Sequence, residues 1–72
     1  MTYIEKELRK LFITHDLNVE KVSNEMGVNK STLYQKLNGK REFTRKEIIK
    51  LSSVLELSDA DILRIFFSEK VS

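Results

Sequence analysis

The sequence predicts an all-α fold, one compact domain of five short helices over residues 1 to 72, and three observations carry that prediction. Apolar residues recur at intervals of three and four along most of the chain. Four residues of the N-cap type, Asn18, Asn29, Thr44 and Ser58, each follow an apolar residue and precede another at position N4. There is no proline, and the two glycines, Gly27 and Gly39, both fall at punctuation points between apolar stripes.

Ile4, Leu8, Leu11, Phe12 and His15 stand at i, i+4, i+7, i+8 and i+11, one face of a helix from about residue 3 to residue 15. Asn18 starts the second helix, with Leu17 and Val22 as its hydrophobic staple and Val19, Val22, Ser23 and Met26 as its inner stripe. Asn29 starts the third, stapled by Val28 and Leu33, with Leu33 and Leu37 facing inward and Gly39 free to take a left-handed conformation after it. Thr44 starts the fourth with a capping box to Glu47 and a staple from Phe43 to Ile48; Ile48, Leu51 and Leu55 form its stripe, with Val54 beside them. Ser58, stapled by Leu57 and Ile62 and paired with Asp61 in an approximate box, starts the fifth, whose stripe is Ile62, Leu63 and Phe66. Together with Ile65 and Phe67 these apolar groups span about 200° of the last helix, more than one core stripe needs. Ile65 or Phe67 is therefore expected to stay partly exposed, or to meet another subunit as an oligomer contact.

Size and composition exclude several function classes. A chain of 72 residues cannot build a second core. With no cysteine and a single histidine there are no disulfides and no Cys/His metal site, no cofactor is expected, and the chain suits a reducing cytosol. No apolar run approaches membrane length, and the opening MTYIEKELRK has no signal-peptide core, so no membrane partner and a cytoplasmic location are expected. Without a Ser/His/Asp set, a glycine-rich phosphate loop or a carboxylate pair in a recognisable pocket, nothing points to an enzyme. His15, at the end of the first helix, reads as a cap or a partner of the helix dipole.

Charge is spread unevenly. Residues 29 to 50 hold seven Lys/Arg and two Asp/Glu, net +5; residues 1 to 28 hold four and five, net −1, and residues 51 to 72 hold two and four, net −2. A basic band on a chain of net charge +2 is the footprint of a polyanion-binding face. The band begins in GVNKSTLYQKLNGKR, where Ser31, Thr32, Tyr34 and Gln35 replace the usual surface helix formers with groups that donate and accept hydrogen bonds.

Only Gly27, Val28 and Asn29 separate the second helix from the third, so the two must cross steeply, with Gly27 where positive φ is needed. Val22, Met26, Val28 and Leu33 point into the angle. That is a helix-turn-helix, over about residues 18 to 38.

The segment VEKVSNEMGVNKSTLYQKLNGKREFTRKEIIKLSSVLELS resembles the helix-turn-helix family of phage Cro and CI repressors, the XRE type, and the likeness covers about residues 4 to 66. Its marks are Gly27 at the ninth motif position, Val22, Met26, Val28 and Leu33 at the fourth, eighth, tenth and fifteenth, and the NGKR after them. The chain departs from the pattern at the fifth position, often alanine and here Ser23, and at the eighteenth, often apolar and here Lys36. Its five-helix size is similar to the early lytic regulators of temperate phages of Gram-positive bacteria, including Cro-like modulators of repression.

The resemblance implies a transcriptional regulator in a lysis-lysogeny type of genetic switch in a bacterial host cell, whose third helix enters the major groove of double-stranded DNA. Carried over residue by residue, it nominates Lys30, Ser31, Tyr34 and Gln35 as base readers. Gln35 suits adenine N6 and N7, Lys30 suits guanine O6 and N7, Ser31 suits either, and Tyr34 suits a thymine methyl or a phosphate. Asn18 and Thr44, at helix starts, and Lys36, Lys40, Arg41, Arg45 and Lys46 suit phosphate contact. A homodimer on a near-palindrome is the family-like expectation. The rival that the resemblance implies is an antirepressor, which binds a CI-type repressor through the same face and blocks its DNA binding.

Overall fold

The chain folds into α1 (Tyr3–Thr14), α2 (Val19–Met26), α3 (Lys30–Leu37), α4 (Arg45–Val54) and α5 (Asp59–Ile62), the last running into a single π-helical turn at Leu63–Phe67. The computed structural model describes residues 1 to 67, with no strand among them; residues 68 to 72 of the expected domain lie outside the described residues. All four expected N-caps are found at Asn18, Asn29, Thr44 and Ser58. Three of them accept a backbone N–H of the first turn through their side chains, and Thr44–Glu47 and Ser58–Asp61 form complete capping boxes. Asn29 is the exception: it occupies the cap position with extended backbone but its side chain accepts nothing from α3.

One device ends four of the helices. Asp16, Gly27, Gly39 and Glu56 take positive φ, at 57°, 75°, 89° and 54°. In each case the following amide reaches back to the carbonyl five residues earlier: Leu17 to Phe12, Val28 to Ser23, Lys40 to Gln35 and Leu57 to Ser52. These are Schellman closures, which satisfy carbonyls the helix leaves orphaned. At three of them the residue after the left-handed position is apolar, and the same residue is the first half of the next helix's staple: Leu17, Val28 and Leu57. One side chain thus ends one helix and sets the start of the next, so these connections are short.

The core lies where the five helices converge, on Leu8 and Phe12 of α1, Val19, Val22 and Met26 of α2, Leu33 and Leu37 of α3, Leu51 and Leu55 of α4, and Ile65 of the π turn. Each such burial contributes about 1.5–3 kcal/mol. Ser23 is buried among them, its hydroxyl donating to the Glu20 carbonyl, so α2 keeps a small side chain there without an orphaned polar group. Contacts remote in sequence tie the ends together. Thr2, the N-cap of α1, donates its hydroxyl to the Leu37 carbonyl at 2.7 Å while accepting from the Glu5 N–H. Phe43 meets Phe66 edge to face at 5.4 Å. Arg64 reaches α1 through the Glu7 carboxylate at 2.8 Å and the Tyr3 hydroxyl at 3.1 Å.

The last helix corrects two expectations. Its inner residue is Ile65, 2% exposed, whereas Leu63 of the expected stripe is 61% exposed. In the observed rotation Ile65 packs into the core, and Arg64 beside it reaches Glu7 and Tyr3 of α1. Ile65 is therefore withdrawn as an oligomer contact, while Phe67, the other expectation, is 60% exposed. Among the described residues no helix is long and apolar enough to cross a membrane.

Candidate nucleic-acid interface

α3 has two unlike sides because its residues divide at helical spacing. Leu33, Lys36 and Leu37 face the core, and Lys30, Ser31, Tyr34 and Gln35, at i, i+1, i+4 and i+5, form an exposed row on the opposite side. All four sequence-nominated readers thus lie on one accessible face of one helix. The Thr2–Leu37 hydrogen bond and the tight corner at Gly27 hold that helix from both ends.

The basic residues after α3 are tied to the row. Gln35 offers its backbone carbonyl to the amides of both Lys40 and Arg41, at 2.9 and 3.2 Å, and the Asn38 side chain accepts from the Lys40 N–H at 3.1 Å. The side chains of Lys40 and Arg41 remain exposed, as do those of Arg45 and Lys46 in the first turn of α4. Asn18 is exposed at the start of α2, with its side-chain oxygen accepting from the Lys21 N–H at 2.8 Å. Thr44 is exposed too, but its own N–H donates to Glu47 at 2.8 Å and its hydroxyl accepts from the Glu47 N–H at 3.2 Å. An anion at that helix start would meet the amides of the residues after Thr44 rather than that of Thr44 itself.

Lys36 is not a surface cation. It is 5% exposed, and its ammonium donates to Glu47 Oε1 at 2.8 Å and to the Glu42 carbonyl at 3.0 Å. Its place in the expected phosphate set is corrected accordingly: the position lies between the buried Leu33 and Leu37, and the four-carbon stem carries the charge through the interior to the start of α4. The arrangement is reciprocal. Burial by itself pushes the Glu47 carboxyl up, but the hydrogen bonds from Lys36 and from the Thr44 N–H outweigh it and hold the group below its ordinary 4.5.

One residue near the exposed row of α3 was not nominated from the sequence. The Arg9 guanidinium of α1 lies over the Tyr34 ring at 5.9 Å and is held there by Glu5 at 2.9 Å. The i, i+4 Glu5–Arg9 pair is legible in the sequence; that α1 passes beside α3 closely enough for Arg9 to reach Tyr34 is not. A second exposed feature lies away from this row: an open apolar groove beside Arg45, lined by Phe43, Ile48, Ile49, Ile62 and Phe67.

Residues 7–68 match the sequence model of a family described as the Cro/C1-type HTH DNA-binding domain. No curated protein and no solved structure gives a significant match.

Proposed function

The chain belongs to the Cro/C1-type helix-turn-helix DNA-binding domain family, whose members are DNA-binding transcription regulators, and we propose that it reads a specific operator as a Cro-type regulator in a lysis-lysogeny switch. The observation that carries the reading is the exposed row Lys30, Ser31, Tyr34 and Gln35 on a helix whose other side is locked into the core. Such a helix, inserted in the major groove, places Gln35 for adenine and Lys30 for guanine, each well-formed bidentate contact contributing about 1–3 kcal/mol of discrimination. The phage setting rests on the resemblance and on the small five-helix size.

Phosphates come first in the encounter. Lys40, Arg41, Arg45 and Lys46 flank the row, and four neutralised phosphates give a slope of log K against log salt of about −4 per subunit, doubled for a dimer. Arg45 and Lys46 oppose the dipole of α4 by a few tenths of a kcal/mol each, a cost that an anion at the same place offsets. Phe67, with the apolar groove beside it, supports a homodimer that would set two half-sites on a near-palindrome. The site of action is the cytoplasm of the bacterial host, and the function is binding rather than catalysis.

A second reading, an antirepressor that binds a CI-type repressor through the same row, is favoured by Tyr34. The residue is 43% exposed and lies under Arg9, and Tyr and Arg are the side chains most suited to anchoring a protein partner.

Selection from random duplexes at physiological salt tests the proposal. Enrichment of a near-palindrome is the expected outcome. Gln35→Ala should then relax preference at one base position of each half-site, and Lys40→Glu should weaken all duplexes alike. Absence of any enriched sequence, with Gln35→Ala abolishing capture of a CI-type repressor, would transfer the row to the protein partner.

A further inference from the structure

We infer that Lys36 is a positioning residue: its buried ammonium pins the first turn of α4 to the inner side of α3 and thereby sets where Arg45 and Lys46 stand relative to the reading row. The inference rests on the DNA-reading assignment for its functional consequence and on geometry for its structural half.

Lys36 belongs to α3, yet both of its partners lie beyond that helix: the Glu42 carbonyl in the connection and Glu47 Oε1 in the first turn of α4. That same Glu47 oxygen accepts from the Thr44 N–H at 2.8 Å. A single carboxylate oxygen therefore joins three things, namely the interior of α3, the N-cap of α4 and the turn that carries Arg45 and Lys46. An ion pair whose ammonium is buried and whose carboxylate is half-buried is a poor way to gain stability, because desolvation offsets much of the attraction, and an apolar side chain between Leu33 and Leu37 would pack without that cost. What the pair supplies and an apolar group cannot is one direction and one length.

The connection needs such a tie. Beyond the turn hydrogen bonds at its start and the Thr44–Glu47 capping box at its end, the connection is held by Lys36 to the Glu42 carbonyl and by Phe43 against Phe66. Phosphate contacts fix the register of a protein on the duplex, and base readout tolerates displacements of only about half an ångström. Clamps free to drift relative to α3 would hold DNA without holding it in register.

The test uses the full chain with Lys36→Met and with the double variant Lys36→Met/Glu47→Gln, which removes the half-buried carboxylate that the first would leave without its cation. In the free protein, backbone order parameters for residues 42 to 46 are expected to fall from the roughly 0.85 of rigid backbone toward about 0.6, with α1 and α2 unchanged. On the duplex selected by the wild type, discrimination against single-base changes should fall about tenfold in both variants. The slope of log K against log salt should stay the same, since no phosphate contact is lost. A slope shallower by about one would make Lys36 itself a phosphate ligand and overturn the inference. So would unchanged order at residues 42 to 46, or a folded double variant that discriminates like the wild type. If the wild type selects no duplex, it is the DNA-reading assignment that fails, and the order parameters alone decide whether Lys36 holds α4.

Discussion

The corner between α2 and α3 and the connection between α3 and α4 begin with the same closure and end differently. Both use a glycine at positive φ, Gly27 and Gly39, and both send the next amide back five residues. After Gly27 comes Val28, which packs against the core and staples α3 at once. After Gly39 comes Lys40, which stays exposed, and Arg41 and Glu42 follow before Phe43 resumes the apolar role. A single residue thus decides whether such a turn becomes a rigid corner or a basic loop. The corner orients α3, and the loop carries Lys40 and Arg41, the charges assigned to phosphate in the proposed function.

The contrast between the two turns is lost most completely when Val28 is made polar. Val28→Asp should destabilise the chain by about 2 kcal/mol, by removing a staple and placing a carboxylate against the core. The counterpart Lys40→Val should change stability by no more than about 0.5 kcal/mol while making the salt slope of DNA binding shallower by about one. Denaturant midpoints and salt titrations check the pair, and equal destabilisation by both would show that the two turns are not distinct.

A smaller effect isolates the role of glycine. A Cβ at Gly27 would meet nothing within 4 Å, so the cost of Gly27→Ala is that of the backbone conformation alone, about 1 kcal/mol. At the equivalent position of the α4–α5 corner stands Glu56, and Glu56→Gly should gain about 0.5 kcal/mol. Opposite shifts in thermal midpoint are expected, and two shifts of the same sign would mean that the corners do not share a geometry.

The smallest effect lies in pH. α2 is capped by the Asn18 side chain, which does not titrate, whereas the caps of α4 and α5 are completed by carboxylates. The Ser58 backbone N–H and then its hydroxyl hold Asp61 below its ordinary 3.8, and hydrogen bonds from Arg64 and then Lys10 hold Glu7 below 4.5. With Glu47 also depressed, these groups stabilise the fold fully above about pH 5, and their contribution disappears as pH falls below 4 and they protonate. Amide exchange on acidification should open α5 and the start of α4 before α2. Glu7→Gln should flatten the acid limb of the stability curve, and an unchanged limb would show that Glu7 has no part in acid unfolding.

The helices and their starts are legible from local sequence, because caps, staples and Schellman residues find their partners within about six positions, where loop closure costs little. The exposed row on α3 is legible too, since helical spacing alone sets Lys30, Ser31, Tyr34 and Gln35 against Leu33 and Leu37. The burial of Lys36 emerges only from the tertiary fold, since Glu47 lies eleven residues away and an ammonium on the inner side of a helix has no local signature. So does the rotation of the last helix, where Ile65 rather than Leu63 turns into the core and Arg64 meets Glu7 near the other end of the chain. Arg9 over Tyr34 and Thr2 on Leu37 belong with these. Each depends on which helices come to lie side by side, and that is set by the summed packing of the core, to which no single short stretch of sequence holds the key.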